Sequence, residues 1–91
     1  LTQLNAQPAL HTKSKKAIEL YNTADNFRVR GQYKQAIDML EQAIEKDKNF
    51  IEAYFRLGQT YKSFKQYAKS IEYFEKGMAI EKDERINRAF W

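Results

Sequence analysis

Cysteine is absent from the 91 residues, which removes disulfides, thiolate metal sites and cysteine nucleophiles together. Three glycines and one proline leave almost no material for tight strand-to-strand turns or long loops, so the chain is expected to be helical. The single histidine, His11, has no companions for a triad or a metal cluster, and no glycine-rich loop is present to cradle a phosphate. No apolar run approaches the ~18 residues of a membrane span. These absences point to a soluble, non-catalytic chain with no cofactor, no metal, no small-molecule substrate and no membrane span.

Charge of one sign is also missing as a block. Sixteen basic residues stand against twelve acidic ones, for a net charge of +4, and the two signs are interleaved as on a solvated helix surface. The one local excess, His11, Lys13, Lys15 and Lys16, is too short to define a nucleic-acid stripe. Asp38, Glu41 and Glu45 read as a solvated helix face rather than an acid/base pair. The chain opens on Leu1 rather than Met and so reads as a piece of something longer. Residues 1–12 read as an N-terminal arm. Its segment Leu1 to Gln7 resembles the tail of a bacterial secretory signal, with Ala6 at a plausible cleavage point, which favours the periplasm or cell envelope. A frayed polar arm, with a cytoplasmic setting, is the other reading.

What is present repeats. A shift of 34 residues lays Gln32 and Tyr33 on Gln66 and Tyr67, Phe27 on Tyr61, Ile37 on Ile71 and Glu41 on Glu75. Residues 17–50 and 51–84 thus form two units, each with two amphipathic stripes around a short break. In the first unit Leu20, Ala24 and Phe27 precede the break at Arg30 to Gln32, and Tyr33, Ala36, Ile37, Leu40, Ala43 and Ile44 follow it. In the second, Tyr54, Leu57, Gly58 and Tyr61 precede Lys65 and Gln66, and Tyr67, Ile71, Phe74, Gly77 and Met78 follow. Asn49 and Glu52 have the form of a capping box, which predicts a helix from Phe50. Gly31 stands where the first hairpin reverses, and Lys65 in the same place predicts a strained or differently built second turn. Residues 87–91 echo 51–55 at an offset of 36, so a third unit starts there and the chain stops within its first helix. Small residues (Ala24, Gly58, Ala36, Ala43, Ser70, Gly77) let helices cross closely, while Phe27, Tyr54, Tyr61, Phe64 and Phe74 fill the gaps.

Tyr54-x-x-Leu57-Gly58-x-x-Tyr61, followed by Ser70-x-x-x-Phe74 and Gly77, resembles the tetratricopeptide repeat. Leu20, Thr23, Ala24, Phe27, Ala36, Leu40 and Ala43 fill the same places in the first unit. The resemblance implies an all-α fold: a right-handed superhelix of antiparallel helix-turn-helix hairpins over residues 13–91, with two full repeats plus the start of a third. The family's link proline is replaced by Lys48 and Lys82, leaving the links to their caps.

Such arrays imply a protein-binding scaffold whose inner groove holds a peptide or a helix. By resemblance the groove carries Ile18, Tyr21, Asp25, Arg28 and Val29, then Glu52, Phe55, Gln59, Lys62 and Ser63, then Arg88 and Trp91. Tyr21, Phe55 and Trp91 have a second reading, in which they pack between hairpins. The variety of the family that clamps a chaperone's C-terminal carboxylate uses Lys and Asn at groove places held here by Tyr21 and Asp25, so that ligand does not fit. The arm and repeats together are similar to N-terminal regions of bacterial envelope proteins with an OmpA-like domain, which implies a module of a larger envelope assembly. A helical repeat that binds RNA is the alternative; Asp25 and Glu52 sharing the face with Arg28 and Lys62 argue against it. Apolar ends at Met39, Tyr73, Ile80, Phe90 and Trp91 predict self-association.

Overall fold

A computed structural model describes residues 10–80. The expected signal remnant, the link from Lys82 to Arg85, the start of a third unit, and Arg88 and Trp91 all lie outside the described residues. Four helices follow in order: α1 (Lys15–Val29), α2 (Tyr33–Lys46), α3 (Ile51–Ser63) and α4 (Tyr67–Ile80). α1 packs on α2, α3 on α4, and α2 on α3, which is a pair of helical hairpins laid side by side. None of these helices is long and apolar enough to cross a membrane.

Local chemistry sets the ends. Ser14 caps α1, its Oγ accepting from the Ala17 N–H at 3.1 Å. α1 and α3 then stop in the same way. Gly31 N–H donates to Arg28 C=O and Gln32 N–H to Phe27 C=O, and one repeat later Lys65 N–H donates to Lys62 C=O and Gln66 N–H to Tyr61 C=O. Both are Schellman closures, and both need a left-handed residue: Gly31 at φ 77° and Lys65 at φ 63°. The expected strain at Lys65 is therefore real, because its Cβ crowds the following carbonyl in that region.

The capping box at Asn49 does not form. α3 begins at Ile51, behind an N-cap Phe50 that has no side-chain hydrogen bond. The Asn49 N–H instead meets Asp47 Oδ1 at 3.0 Å, and Glu52 is drawn away to His11. Phe50 is fully buried with its ring 5.3 Å from that of Tyr21, so an apolar anchor fixes the start of α3 where a polar cap was expected.

The core matches the small-and-bulky pattern. Ala17, Leu20, Ala24, Ala36, Leu40 and Ala43 bury together with Phe50, Ala53, Leu57 and Tyr61, while Ile51, Phe55 and Phe74 form a second cluster. A Cβ on Gly58 would stand 2.8 Å from the Phe74 ring, and one on Gly77 3.0 Å from the Phe55 ring. In the first unit the same places pair Ala24 with Leu40 and Ala43 with Tyr21. Where unit two carries the bulkier Phe74, its partner has lost a methyl group.

Three expectations change. Tyr67 and Ile71, counted in the apolar stripe of α4, are exposed, because no helix among the described residues follows α4 as α3 follows α2. Met39 and Tyr73, expected at open ends, pack against the first cluster, and Ile80 against the second. The Tyr73 ring stacks on Tyr61 at 5.6 Å and carries Lys76 Nζ 4.7 Å above it. Burial, with Glu41 adding to it, pushes the Tyr61 hydroxyl up to about 12.

Gly58→Ala is expected to destabilise the fold by about 1–3 kcal/mol, since the added Cβ would stand 2.8 Å from the Phe74 ring and force it to shift; urea titration reads this, and an unchanged midpoint contradicts the packing described. Lys65→Gly relieves the left-handed strain and is expected to stabilise by about 0.5–1 kcal/mol, read as a higher melting temperature by circular dichroism.

Candidate functional site

The residues singled out on α1 and α3 divide into a buried set and an open set. Phe55 is fully buried and Tyr21 nearly so. Both face inward, Phe55 against Phe74 and Tyr21 against Phe50, so as surface anchors they are corrected to core residues. The cause lies in the partners: Gly77 leaves room for the Phe55 ring, Phe50 meets the Tyr21 ring, and a buried ring gains more than an exposed one. Asp25, Arg28 and Gln59 are partly exposed, and Lys62 is open.

A residue the sequence reading passed over organises this face. Arg56 of α3 reaches back to α1, where Nη1 donates to Asp25 Oδ1 at 2.7 Å and Nη2 donates to the Tyr21 hydroxyl at 2.8 Å. Its guanidinium also lies over the Tyr21 ring, 5.2 Å from the centroid. Arg28 Nε stands 3.4 Å from the same Asp25 oxygen. Burial raises the Tyr21 pKa, and the Arg56 charge works against that rise. One carboxylate thus serves two guanidinium groups across the joint between units. The pairing of Asp25 and Arg56, 31 residues apart, was legible only as opposite charges on neighbouring first helices, a signal shared by many other pairs in so mixed a sequence.

Glu52 also leaves the open face. It is buried, accepting from the His11 backbone N–H at 3.0 Å and sharing a 2.6 Å contact with His11 Nδ1. Thr12 Oγ1 donates to Asp47 Oδ2 at 2.6 Å, and Leu10 packs on the first cluster. Residues 10–12, read as part of the arm, therefore dock across the link between α2 and α3. Taken by the 34-residue period, Tyr21, Asp25 and Arg28 correspond to Phe55, Gln59 and Lys62. The second unit so has an amide and an ammonium where the first has a carboxylate and a guanidinium. No ion pair to Lys62 is formed among the described residues. What remains open is a polar face with one apolar point, Val29, which is 73% exposed.

Comparison with known proteins finds two overlapping matches to family patterns. One described as a TPR repeat spans residues 24–63, and one described as a tetratricopeptide repeat spans residues 51–84. No curated protein matches the chain.

The joint is testable by a double-mutant cycle on Asp25→Asn and Arg56→Met. Because both side chains are partly solvated, the coupling is expected to be about 1 kcal/mol. Additive effects in chemical denaturation would place the strength of the joint elsewhere.

Proposed function

The chain belongs to the tetratricopeptide repeat family, and from that premise we propose that it is a non-catalytic module that holds a peptide or a helix along the face shared by α1 and α3. Repeats of this family mediate protein–protein contact. The observation that carries the finer reading is the clasp of Arg56 on Asp25 and Tyr21. It ties the first helix of the second unit to that of the first, which favours reading Asp25, Arg28, Val29, Gln59 and Lys62 as one surface. Arg88 and Trp91 extend that surface in the proposal.

The charge arrangement favours a protein ligand over RNA. Among the described residues both arginines on the face are engaged by Asp25 and Lys62 is the open cation there, whereas a phosphate backbone calls for several. An extended peptide or a helix needs one or two charged contacts and an apolar point, which Lys62 and Val29 supply. A setting in the cell envelope, as part of a larger protein, is supported by the Leu1 to Gln7 segment and the likeness noted for it.

A peptide library displayed against the full chain tests this reading. Bound sequences are expected to lose affinity at least about ten-fold (~1.4 kcal/mol) with Lys62→Glu or Val29→Asp and to keep it with the exposed α2 variant Lys34→Ala. Retention of a single-stranded RNA at about 0.2 M salt, with no peptide bound, would support the RNA reading instead.

A further inference from the structure

A groove of about 530 Å³ runs between α2 and α4, and its walls include Glu41, Ile44 and Glu45 of α2, Tyr54 of α3, and Tyr73 and Lys76 of α4. None of the residues assigned above to the α1 and α3 face lines it. One side is aromatic: the Tyr54 and Tyr73 rings stand 6.5 Å apart, and Tyr73 stacks on Tyr61. The α2 side is acidic. Glu41 and Glu45 are exposed, share a helix face one turn apart, and form no ion pair among the described residues. Burial, and after it the Glu41 charge, raises the pKa of both Tyr61 and Tyr73, so that carboxylate stands beside the rings and the rings stay neutral.

We propose that this groove binds an arginine side chain of a partner protein, its guanidinium laid against the Tyr54 and Tyr73 rings and paired with Glu45. The chain contains a template for such a contact. At the joint between units the Arg56 guanidinium lies 5.2 Å from the Tyr21 ring centroid while donating to Asp25 at 2.7 Å. A tyrosine ring receives the flat face there and a carboxylate receives the edge. The groove holds ring and carboxylate without the guanidinium. What stands over Tyr73 is an ammonium, Lys76 Nζ at 4.7 Å, which is paired with Glu72 of its own helix at 3.1 Å. Lys76 marks the ring as a place for a cation. Half its side chain is exposed, so a ligand can displace it at small cost.

Arginine suits the groove better than lysine, because a planar fork covers a ring and meets a carboxylate at once, whereas an ammonium is a strongly hydrated point charge. The described arginines are engaged elsewhere: Arg28 and Arg56 by Asp25, and Arg30 by the Phe27 ring at 6.0 Å. With a net charge of +4 the chain as a whole repels cations, so attraction of one has to come from local groups such as these.

The probe is N-acetyl-arginine amide, titrated into the 91-residue chain at physiological salt beside its lysine and citrulline analogues, with backbone amide shifts read by NMR. Saturable shifts are expected at Glu41, Glu45, Tyr54 and Tyr73, with the lysine analogue about three-fold weaker and the neutral citrulline analogue at least about ten-fold weaker. Glu45→Lys is expected to weaken arginine binding about ten-fold with an unchanged circular dichroism spectrum. Lys76→Ala frees the Tyr73 ring and is expected to tighten it about three-fold. Lys69→Ala removes the same charge from the other partner of Glu72 and is expected to change nothing, as is Lys62→Gln on the α1 and α3 face. Citrulline or lysine binding equal to that of arginine, indifference to Glu45→Lys, or the absence of saturable shifts at the groove would overturn the proposal. So would tighter probe binding by Arg30→Ala, Arg85→Ala or Arg88→Ala, since an arginine of this chain, in the same or a second copy, would then already occupy the groove.

Discussion

Close approach of helix backbones is the constraint on which the rest of the structure depends. A chain this short buries too little surface to tolerate a loose core, and its helices draw little stability from their own hydrogen bonds in water. Stability must come from packing two thin hairpins tightly, and the hairpins are tight because small residues sit at the crossings. Gly58 gives its space to the Phe74 ring and Gly77 to that of Phe55. By the period the first unit holds Ala24 with Leu40 and Ala43 with Tyr21 at these places, the first pair trading a methyl for a smaller partner and the second larger on both sides. Ser70 adds a polar stitch at the same crossing, its hydroxyl donating to the Gly58 carbonyl at 2.8 Å.

The joint between hairpins is built differently. Apolar contact supplies the bulk, through Phe50, Ala53 and Leu57, but position is set by polar groups that span it. Arg56 ties α3 to Asp25 and Tyr21 of α1, and the His11 and Thr12 contacts tie the residues ahead of α1 to the start of α3 and the end of α2. Paired polar groups at a half-buried seam favour one geometry among those that apolar contact alone would allow. A preferred spacing of α1 and α3 suits the binding surface proposed above, since a preordered face spends less ligand affinity on ordering itself.

The two units resemble each other in shape and differ in charge. Asp25 is shared by Arg56 and Arg28, whereas the corresponding Gln59 offers no carboxylate and Lys62 forms no ion pair among the described residues. The same divergence separates the two first helices, since α1 holds Glu19, Thr23 and Arg30 where the second unit holds Ala53, Leu57 and Phe64. Repetition thus builds the scaffold, and the departures from repetition give its surfaces direction.

Period and composition in the sequence determined the helices, their order, the reversal at Gly31, the strain at Lys65 and the small residues at the crossings, because each of these follows from side-chain spacing or from the backbone freedom of one residue. Tertiary structure alone decided which aromatic residues are surface and which are core. Tyr21 and Phe55 share a helix face with open residues and turn inward against Phe50 and against Gly77 and Phe74, while Tyr67 and Ile71 lie on an apolar stripe yet stay open because no helix among the described residues covers them. It also decided that Asn49 does not cap and that Glu52 is buried, because a competing acceptor at Asp47 and a donor at His11, 41 residues away in the chain, outbid the local pattern. Local spacing is written along one helix, whereas the fate of a side chain depends on what another helix places opposite it.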